Sequence, residues 1–497
     1  MTKLAIVVVF AIALLLWKIL PSGFLPDEDQ GYLMIALNTE PSSSIQVTQS
    51  AMDKVDKLVR SRADVESTAV VTGFNMLSGS AATNSGVIFV RLKPFDERKL
   101  SSAEIAAQLN NRFNTLDQNF ECYAFIQPSI PGLGVTSGVT FALLDVEGRG
   151  SDYLGQNLSI LLDTLNRNKS FIAASSQFNN SVPQKRLNID RQHALMKGVD
   201  LSNLYGELSA LLGSRYIDNF TRFGRLYRSY IAAAPEYRQT ESALNSYFVS
   251  TTNNESIPLS TFVSVADTTG VAFVEQFNLY NAAQVTAMPA KGVSSAQAMD
   301  AIEEISASVL PENMNIGWSG VSLLESLENS KAWRVYAIAV IFVFLILSML
   351  YESWKLPVVI LLAVPLAILG ALAAMSVVHL FNPEAVNDIY MQKSMVMLIG
   401  LAAKNAILVV EYADKRYQEG ADLLTATVDA AMLRARPIIM TASAFILGVM
   451  PLLFASGVFH IARNVMGIAL VGGMVAATTV GILLYPALYF VIKGKNR

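Results

Sequence analysis

The sequence predicts an α-helical membrane bundle of six spans, one before and five after a large α+β region outside the membrane. Hydrophobic residues make up 52% of the 497 residues, charged residues make up 15%, and the mean hydropathy is +0.40. This composition is typical of an integral membrane protein. Yet roughly 310 residues after the first apolar run contain no stretch of the ~20 apolar residues that a transmembrane helix needs. The sequence therefore combines a membrane domain with a large water-exposed region.

The first predicted span is the apolar run at residues 4–20. Pro21, Ser22 and Gly23 after it indicate a helix end, and no Ala-x-Ala cleavage site follows, so we expect a retained span rather than a signal peptide. Residues 420–435 are predicted to form a helix along the inner membrane interface, and Pro437 to begin the next span. The other five predicted spans are 333–353, 356–380, 389–413, 437–456 and 464–492.

Lysine and arginine residues near the short loops set the orientation, because cytoplasmic loops carry an excess of them. With the N-terminus inside, the opposite short loops hold little beyond Arg463, and region 21–330 lies outside, in the periplasm if the host is a bacterium. The basic residues then placed in the cytoplasm are Lys3, Lys355, Lys415, Arg416, Arg434, Arg436, Lys493, Lys495 and Arg497.

The external region repeats a β-α-β-β-α-β order, which is typical of a ferredoxin-like fold. The first repeat has predicted elements at 31–37, 44–60, 65–72, 86–92, 101–116 and 122–126. The second repeat is interrupted, with elements at 139–144, 152–167, 283–288, 295–308 and 315–318. Between its parts, a polar insertion at roughly 182–276 is interpreted as a mixed domain that meets another protein or another copy.

Lys404 lies deep in the predicted span 389–413, about 13 Å of helix from its nearer end. A charge at that depth costs about 2.5–3.5 kcal/mol and is usually kept for a counter-ion or an ion pathway. No predicted span holds an acid at similar depth, and Glu411 lies about 10 Å away along the same helix. Two interpretations stay open: an ion pair that only holds helices together, and a proton or ion relay.

Several function classes are disfavoured by composition. The single cysteine, Cys122, excludes a disulfide framework within this sequence, and His193, His379 and His460 have no metal-ligand spacing. A net charge of −3 gives no indication of nucleic-acid binding. No Ser-His-Asp or phosphate-loop pattern is recognisable, so we expect neither an enzyme nor a metal site.

Five motifs carry a family resemblance over essentially all 497 residues: GFLPDEDQG (23–31), LYESW (350–354), GLAAKNAILVVEYA (400–413), RARPIIMTASAFILGVMPL (434–452) and GGMVAATT (472–479). The chain resembles the C-terminal half of a multidrug efflux pump of the resistance-nodulation-division superfamily, acriflavine-resistance type. In that family a full chain has two such halves, and three chains form a proton-driven drug exporter of the bacterial inner membrane.

The resemblance implies a division of the chain into domains. It implies a first span at 1–22, a first porter subdomain at 23–137, a second porter subdomain at 138–181 and 277–330, a docking subdomain at 182–276, and a five-helix bundle at 331–497.

The resemblance also implies functional residues. Lys404, Arg434 and Thr441 match positions of the family's proton relay, although the Thr441 hydroxyl could instead bond to its own helix. The positions that match the family's drug pocket, or keep the character of its lining, are Met34, Val71, Phe74, Met76, Phe89 and Phe125. From their spacing alone, Phe74 and Phe89 could instead be ordinary core residues.

The family's central acidic pair lies in the N-terminal half of a full pump. We therefore expect this chain to be half of a transport complex and to need a complementary half with paired membrane aspartates. We expect the complex to be powered by the proton gradient without a cofactor. The resemblance further implies a trimer, a periplasmic adaptor, an outer-membrane channel and small hydrophobic or amphiphilic substrates. Two alternatives remain: a non-transporting partner that docks to a pump trimer, and a heavy-metal exporter, for which Met34, Met52, Met76 and Met196 lack paired spacing.

Overall fold

The computed structural model describes residues 2–26, 28–116, 119–130, 132–329, 332–382 and 385–494. Two compact units are distinguished: Met1–Phe178 with Phe273–Arg497, and Asn179–Ala272. The domain boundary expected at 330/331 lies outside the described residues, as do Lys495 and Arg497 of the orientation argument.

The first sheet follows the N-terminal helix α1 (Thr2–Ile19) and is antiparallel, with strand order β2-β3-β1-β4. Its elements have the predicted β-α-β-β-α-β order. Leu33, Ile35 and Ile88 point to the face that the two helices cover, and they are fully buried there. The elements are β1 (Tyr32–Thr39), α2 (Ile45–Arg60), β2 (Val65–Asn75), β3 (Ser80–Leu92), α3 (Ser102–Phe113) and β4 (Phe120–Phe125).

The second sheet begins with β5 (Val139–Asp145), α4 (Ser151–Arg167) and β6 (Phe171–Ser176). The chain then enters the compact unit Asn179–Ala272, whose core includes Leu204, Leu259 and Phe262. Strands β7 and β12 are paired along their whole length, while β8 and β9 form a separate hairpin. The elements of this unit are β7 (Val182–Ile189), α5 (Arg191–Met196), α6 (Leu201–Gly213), β8 (Arg215–Arg222), β9 (Arg225–Ile231), β10 (Phe248–Ser250), β11 (Ser256–Pro258) and β12 (Val263–Gly270).

The second sheet is completed by β13 (Glu275–Phe277), β14 (Tyr280–Pro289), α7 (Ser295–Val309) and β15 (Met314–Trp318). Strand β14 pairs with β13, β6 and β5, and β5 pairs with β15. The order β6-β14-β5-β15 therefore repeats the β2-β3-β1-β4 order of the first sheet. The predicted insertion range 182–276 runs into β13, which belongs to this sheet.

The last part of the chain is helical. Among the described residues, four helical segments are long and apolar enough to cross a membrane: Lys355–Phe381, Ile389–Gln418, Leu423–Leu453 and His460–Thr479. The described ranges also contain three shorter apolar helices, Ile6–Ile19, Tyr336–Tyr351 and Gly481–Gly494. The count of six crossings stays a prediction. The helices are α8 (Gly320–Asn329), α9 (Ala332–Tyr351), α10 (Lys355–Leu361), α11 (Val364–Phe381), α12 (Ile389–Gln418), α13 (Leu423–Leu453), α14 (His460–Thr479) and α15 (Gly481–Gly494).

Two predicted helix boundaries are wrong. Pro437 does not begin a new helix after an interfacial one, because α13 continues through it as one helix of 31 residues. A proline inside a membrane helix is tolerated where neighbouring groups satisfy the freed backbone. The segment 464–492 is not one helix either, since α14 and α15 meet at Val480. There the Tyr485 hydroxyl donates to the carbonyl of Ala477 at 2.8 Å.

Small residues bring α11 and α14 into close contact. A Cβ atom added to Gly472 would lie 2.3 Å from the Cβ of Ala374 and 2.8 Å from the carbonyl oxygen of Gly370. Close backbone approach of this kind is typical of packed membrane helices. Gly400 on α12 differs, because nothing lies within 4 Å of the corresponding position.

Two consecutive carboxylates anchor the segment between α1 and β1. Glu28 accepts hydrogen bonds from the backbone N–H groups of Ile461 at 3.3 Å and Ala462 at 2.7 Å, in the first turn of α14. Asp29 accepts from the Arg98 guanidinium at 2.8 Å and from the backbone N–H of Ser102 at 2.7 Å, at the start of α3. Both carboxylates are buried and accept hydrogen bonds from the N-termini of helices, where the helix dipole favours negative charge.

Candidate functional site

A cavity of about 760 Å³ lies between the helix-free faces of the two sheets. The strand register defines these faces: Met34 pairs with Phe89 and Phe125, and Ala36 pairs with Val87 and Tyr123. All of these side chains point away from α2 and α3, because side chains alternate between the faces of a strand. One wall of the cavity thus comes from β1 and β4.

The opposite wall comes from the second sheet. Gln284, Thr286 and Met288 on β14 line the cavity, while the residues between them, such as Val285, point to the helix-covered core. Residues 132–137 and the first turns of α8 close the remaining sides. The Tyr123 hydroxyl donates to the Met288 sulfur and so joins the two walls.

The residues predicted to bind substrate belong to the first sheet and the turn after β2, but of the six only Phe125 lines the cavity. Met34 and Phe125 are buried in a small cluster, and Phe74 and Met76 pack against it. Phe125 lines the cavity, whereas Val71 and Phe89 are exposed on the same sheet face away from it. The packing of Phe74 agrees with its interpretation as a core residue. Contact with substrate stays a prediction for all six residues.

Sequence reasoning missed the residues that the second sheet and the segments next to its strands contribute. Besides the three on β14, these include Phe178 and Phe273. The alternation of Gln284, Thr286 and Met288 with buried Ala283, Val285 and Ala287 was a usable signal, since it marks a strand with one uncovered face.

Charged side chains of one sign line the cavity. Glu121 and Glu275 are lining residues, and the described lining includes no lysine, arginine or histidine. Burial raises the pKa of Glu275 above its ordinary value of 4.5, although a backbone hydrogen bond from Gln284 opposes this effect. The cavity is therefore apolar and aromatic with an acidic lining.

In the membrane bundle, Lys404 lies on an uncovered face of α12. Its side chain is exposed, whereas Ala403 and Asn405 beside it are buried. Within the described part of the chain, Lys404 makes no ion pair and no hydrogen bond, and Glu411 on the same face makes none to it. Met397 and Gly400 continue this exposed face toward the start of the helix.

The other two predicted relay residues lie on α13, which packs against α12. The Arg434 guanidinium lies 5.1 Å from the ring centre of Tyr412, and its Nε atom is buried without a hydrogen-bond partner among the described residues. The Thr441 hydroxyl donates to the carbonyl of Ile438 at 3.1 Å, which is the bond within its own helix that was left open as an alternative. The structure does not bring Lys404, Arg434 and Thr441 into direct contact.

Helix α13 also has a large uncovered apolar surface. Only 11% of its most apolar stretch is buried, against 56% for α12. Met432, Met440 and Leu447 are among its exposed side chains. An exposed apolar helix face of this extent contacts either lipid or another helical element.

Comparison with known proteins decides the family. A model of the AcrB/AcrD/AcrF family matches residues 1–493. The chain belongs to this family. It is a multi-pass protein of the inner membrane, related to efflux transporters of multidrug resistance.

Individual relatives of the family agree. The multidrug export protein AcrF of Escherichia coli (strain K12) is 36% identical over 480 residues, covering 95% of this chain and 46% of AcrF. The multidrug/solvent efflux pump membrane transporter MepB of Pseudomonas putida is 36% identical over 476 residues, covering 95% of this chain and 44% of MepB. The toluene efflux pump membrane transporter TtgB of Pseudomonas putida shows the same identity and coverage as MepB. The chain spans about half the length of the curated relatives it matches.

Proposed function

We propose that this chain is one half of a proton-driven exporter of hydrophobic and amphiphilic compounds. The observation that carries the proposal is the uncovered face of α12, where Lys404 has no partner among the described residues. A lysine at this depth is costly unless a counter-ion or water-filled path accompanies it. A complementary half with membrane carboxylates would supply that counter-ion.

Proton coupling follows from the chemistry of such a pair. Ionised carboxylates attract the Lys404 ammonium, and protonated carboxylates do not, so proton binding changes which helix packing is favoured. Arg434 adds a second cation on the adjoining helix, with part of its guanidinium still unpaired. The uncovered apolar face of α13 is the surface against which further helices of the complementary half would pack.

The water-exposed parts fit the same proposal. The two sheets and their helices would be the porter subdomains, and the unit Asn179–Ala272 would be the docking subdomain that contacts other chains of a trimer, the adaptor or the outer-membrane channel. Every residue of β8 is exposed, and Phe220 stacks on Tyr227 across the hairpin. Exposed aromatic side chains are typical of protein interfaces.

The cavity between the sheets is our candidate for the substrate site. Its volume of about 760 Å³ falls within the range of small-molecule pockets, roughly 300–1,000 Å³. Rings from Tyr123, Phe125 and Phe178 offer apolar surface to an amphiphile.

Heavy-metal export receives less support. Among the described residues, no group of three or more His, Cys, Asp or Glu side chains could hold a metal ion. Burial raises the pKa of the Cys122 thiol to about 12, so a thiolate there would be scarce at neutral pH.

Co-expression tests the proposal. The chain should export ethidium from cells only when expressed with a complementary N-terminal half that carries paired membrane aspartates. Lys404→Met should abolish this export without preventing co-purification of the two halves. Lys393→Met is the matched control, because Lys393 is an exposed lysine on the same helix but lies near its first residue, Ile389, and 5.5 Å from the ring centre of Tyr390, whereas Lys404 lies deep in the helix.

Two outcomes would contradict the proposal: export by this chain alone, or full export by the Lys404→Met complex. Assembly with no export by any wild-type pair would favour the non-transporting partner instead.

A further inference from the structure

The cavity between the sheets has a one-sided charge distribution. Glu275 on β13 and Glu121 on β4 both line it, and no basic side chain is found in its described lining. Neither carboxylate forms an ion pair within the described ranges. Neither carboxylate is therefore neutralised by a basic side chain of the described residues.

The aromatic lining adds to this asymmetry. Tyr123, Phe125, Phe178 and Phe273 all line the same space. The face of an aromatic ring carries negative electrostatic potential and attracts cations. An anion in the cavity would meet two carboxylates and several aromatic rings without a compensating basic group in the described lining.

We infer that this cavity selects lipophilic cations over anions of the same size and shape. The inference rests on the proposed function, since it assigns a substrate class to the proposed substrate site. Glu275 interacts most strongly, because it is half-buried and its field is less screened by water than that of exposed Glu121. The rings provide apolar contact for either ion, so charge decides the preference.

Burial gives a second reason why Glu275 should interact with a cation more strongly than Glu121 does. It raises the pKa of Glu275, which means that its carboxylate is poorly solvated when ionised. A bound cation would restore part of the lost stabilisation. Glu121 is exposed and supplies a longer-range attraction at the edge of the cavity.

Two hydrophobic ions of nearly equal size and opposite charge provide the test. Tetraphenylphosphonium and tetraphenylborate should be titrated by calorimetry against the full chain in a neutral detergent, with detergent-only titrations subtracted. The cation should bind at least about tenfold more tightly than the anion. Glu275→Gln should weaken cation binding about tenfold and leave anion binding equal or stronger.

Matched controls separate a local effect from a change in net charge. Glu304→Gln removes one carboxylate from the exposed surface of α7, outside the cavity, and should leave both affinities unchanged. The double variant Glu121→Gln/Glu275→Gln should lose the preference for the cation. The wild-type comparison of the two ions needs no variant, so it stands even if a variant folds poorly.

Equal binding of the two ions would overturn the charge selection while leaving an amphiphile site, and hence the proposed function, in place. Absence of binding by either ion would overturn the assignment of this cavity as well. Failure of the proposed function would show separately, as export unaffected by Lys404→Met.

Discussion

Replacing Asp29 by alanine should destabilise the first turn of α3 by about 3–5 kcal/mol, because it leaves the buried Arg98 guanidinium without its counter-ion. The Arg98 and Asp29 side chains are 1% and 6% exposed, and their nearest atoms lie 2.8 Å apart. Asp29 also accepts from the backbone N–H groups of Ser102 and Gly31, and each buried donor left unpaired costs about 1–3 kcal/mol. Most of the expected loss of stability therefore comes from the buried donors left unpaired, and less from the lost attraction between Asp29 and Arg98.

Hydrogen-exchange mass spectrometry of the full chain in detergent measures this effect. Protection of the first α3 amides should fall about a hundredfold or more in Asp29→Ala. Glu66→Ala breaks a pair with Arg91 in the same sheet whose side chains are 44% and 71% exposed, and should cost less than about 1 kcal/mol. A double variant, Asp29→Ala/Arg98→Met, should cost less than the sum of its single variants. Protection within threefold of wild type in Asp29→Ala would refute the reasoning.

The same residue predicts an acid dependence. Burial opposes ionisation of Asp29, but hydrogen bonds from Arg98, Ser102 and Gly31 outweigh it and hold the pKa of Asp29 below its ordinary value of 3.8. The stability that it contributes is then fully present above pH 3.8 and is lost as the pH falls through the lower folded-state pKa. Protection of α3 should fall in that acid range, and Asp29→Asn should remove this dependence.

Two further predictions concern the membrane domain. Reporter fusions near residue 150 should report the periplasm and fusions near 425 the cytoplasm, and opposite labelling would overturn the orientation. Gly472→Ala should lower the melting temperature in detergent, with a cost of about 1–3 kcal/mol from the clash with Ala374, whereas Gly400→Ala should be neutral or slightly stabilising. Equal effects of the two substitutions would argue against tight packing of α11 on α14.

Local patterns predicted the first sheet well, because its strands and helices bury one face each. Strand β6 was missed, since its sequence FIAASS consists largely of alanine and serine, which give little strand signal. Pro437 was misinterpreted as a helix start, which is its usual role in water-soluble proteins. Inside a membrane bundle a proline is compatible with a continuous helix, and whether the helix continues through it depends on the neighbouring helices.

The candidate sites show a similar limit. The depth of Lys404 and the lack of a nearby acid could be inferred from one helix; among the described residues Lys404 makes no ion pair, and its role in a relay stays a prediction. The cavity could not be inferred in this way, because Tyr123 and Met288 come from different sheets and are far apart in sequence. Its acidic lining depends on Glu121 and Glu275, which have no common motif.

The adjacent carboxylates Glu28 and Asp29 have a mechanical consequence. One holds the first turn of α14 in the membrane domain and the other holds the first turn of α3 beside the first sheet. A single peptide bond joins these two anchor points, so the connection contains no slack that could absorb a displacement. A shift of α14 along its axis would therefore be transmitted directly to α3. The Glu28–Asp29 junction is a rigid connection between the two regions rather than a hinge.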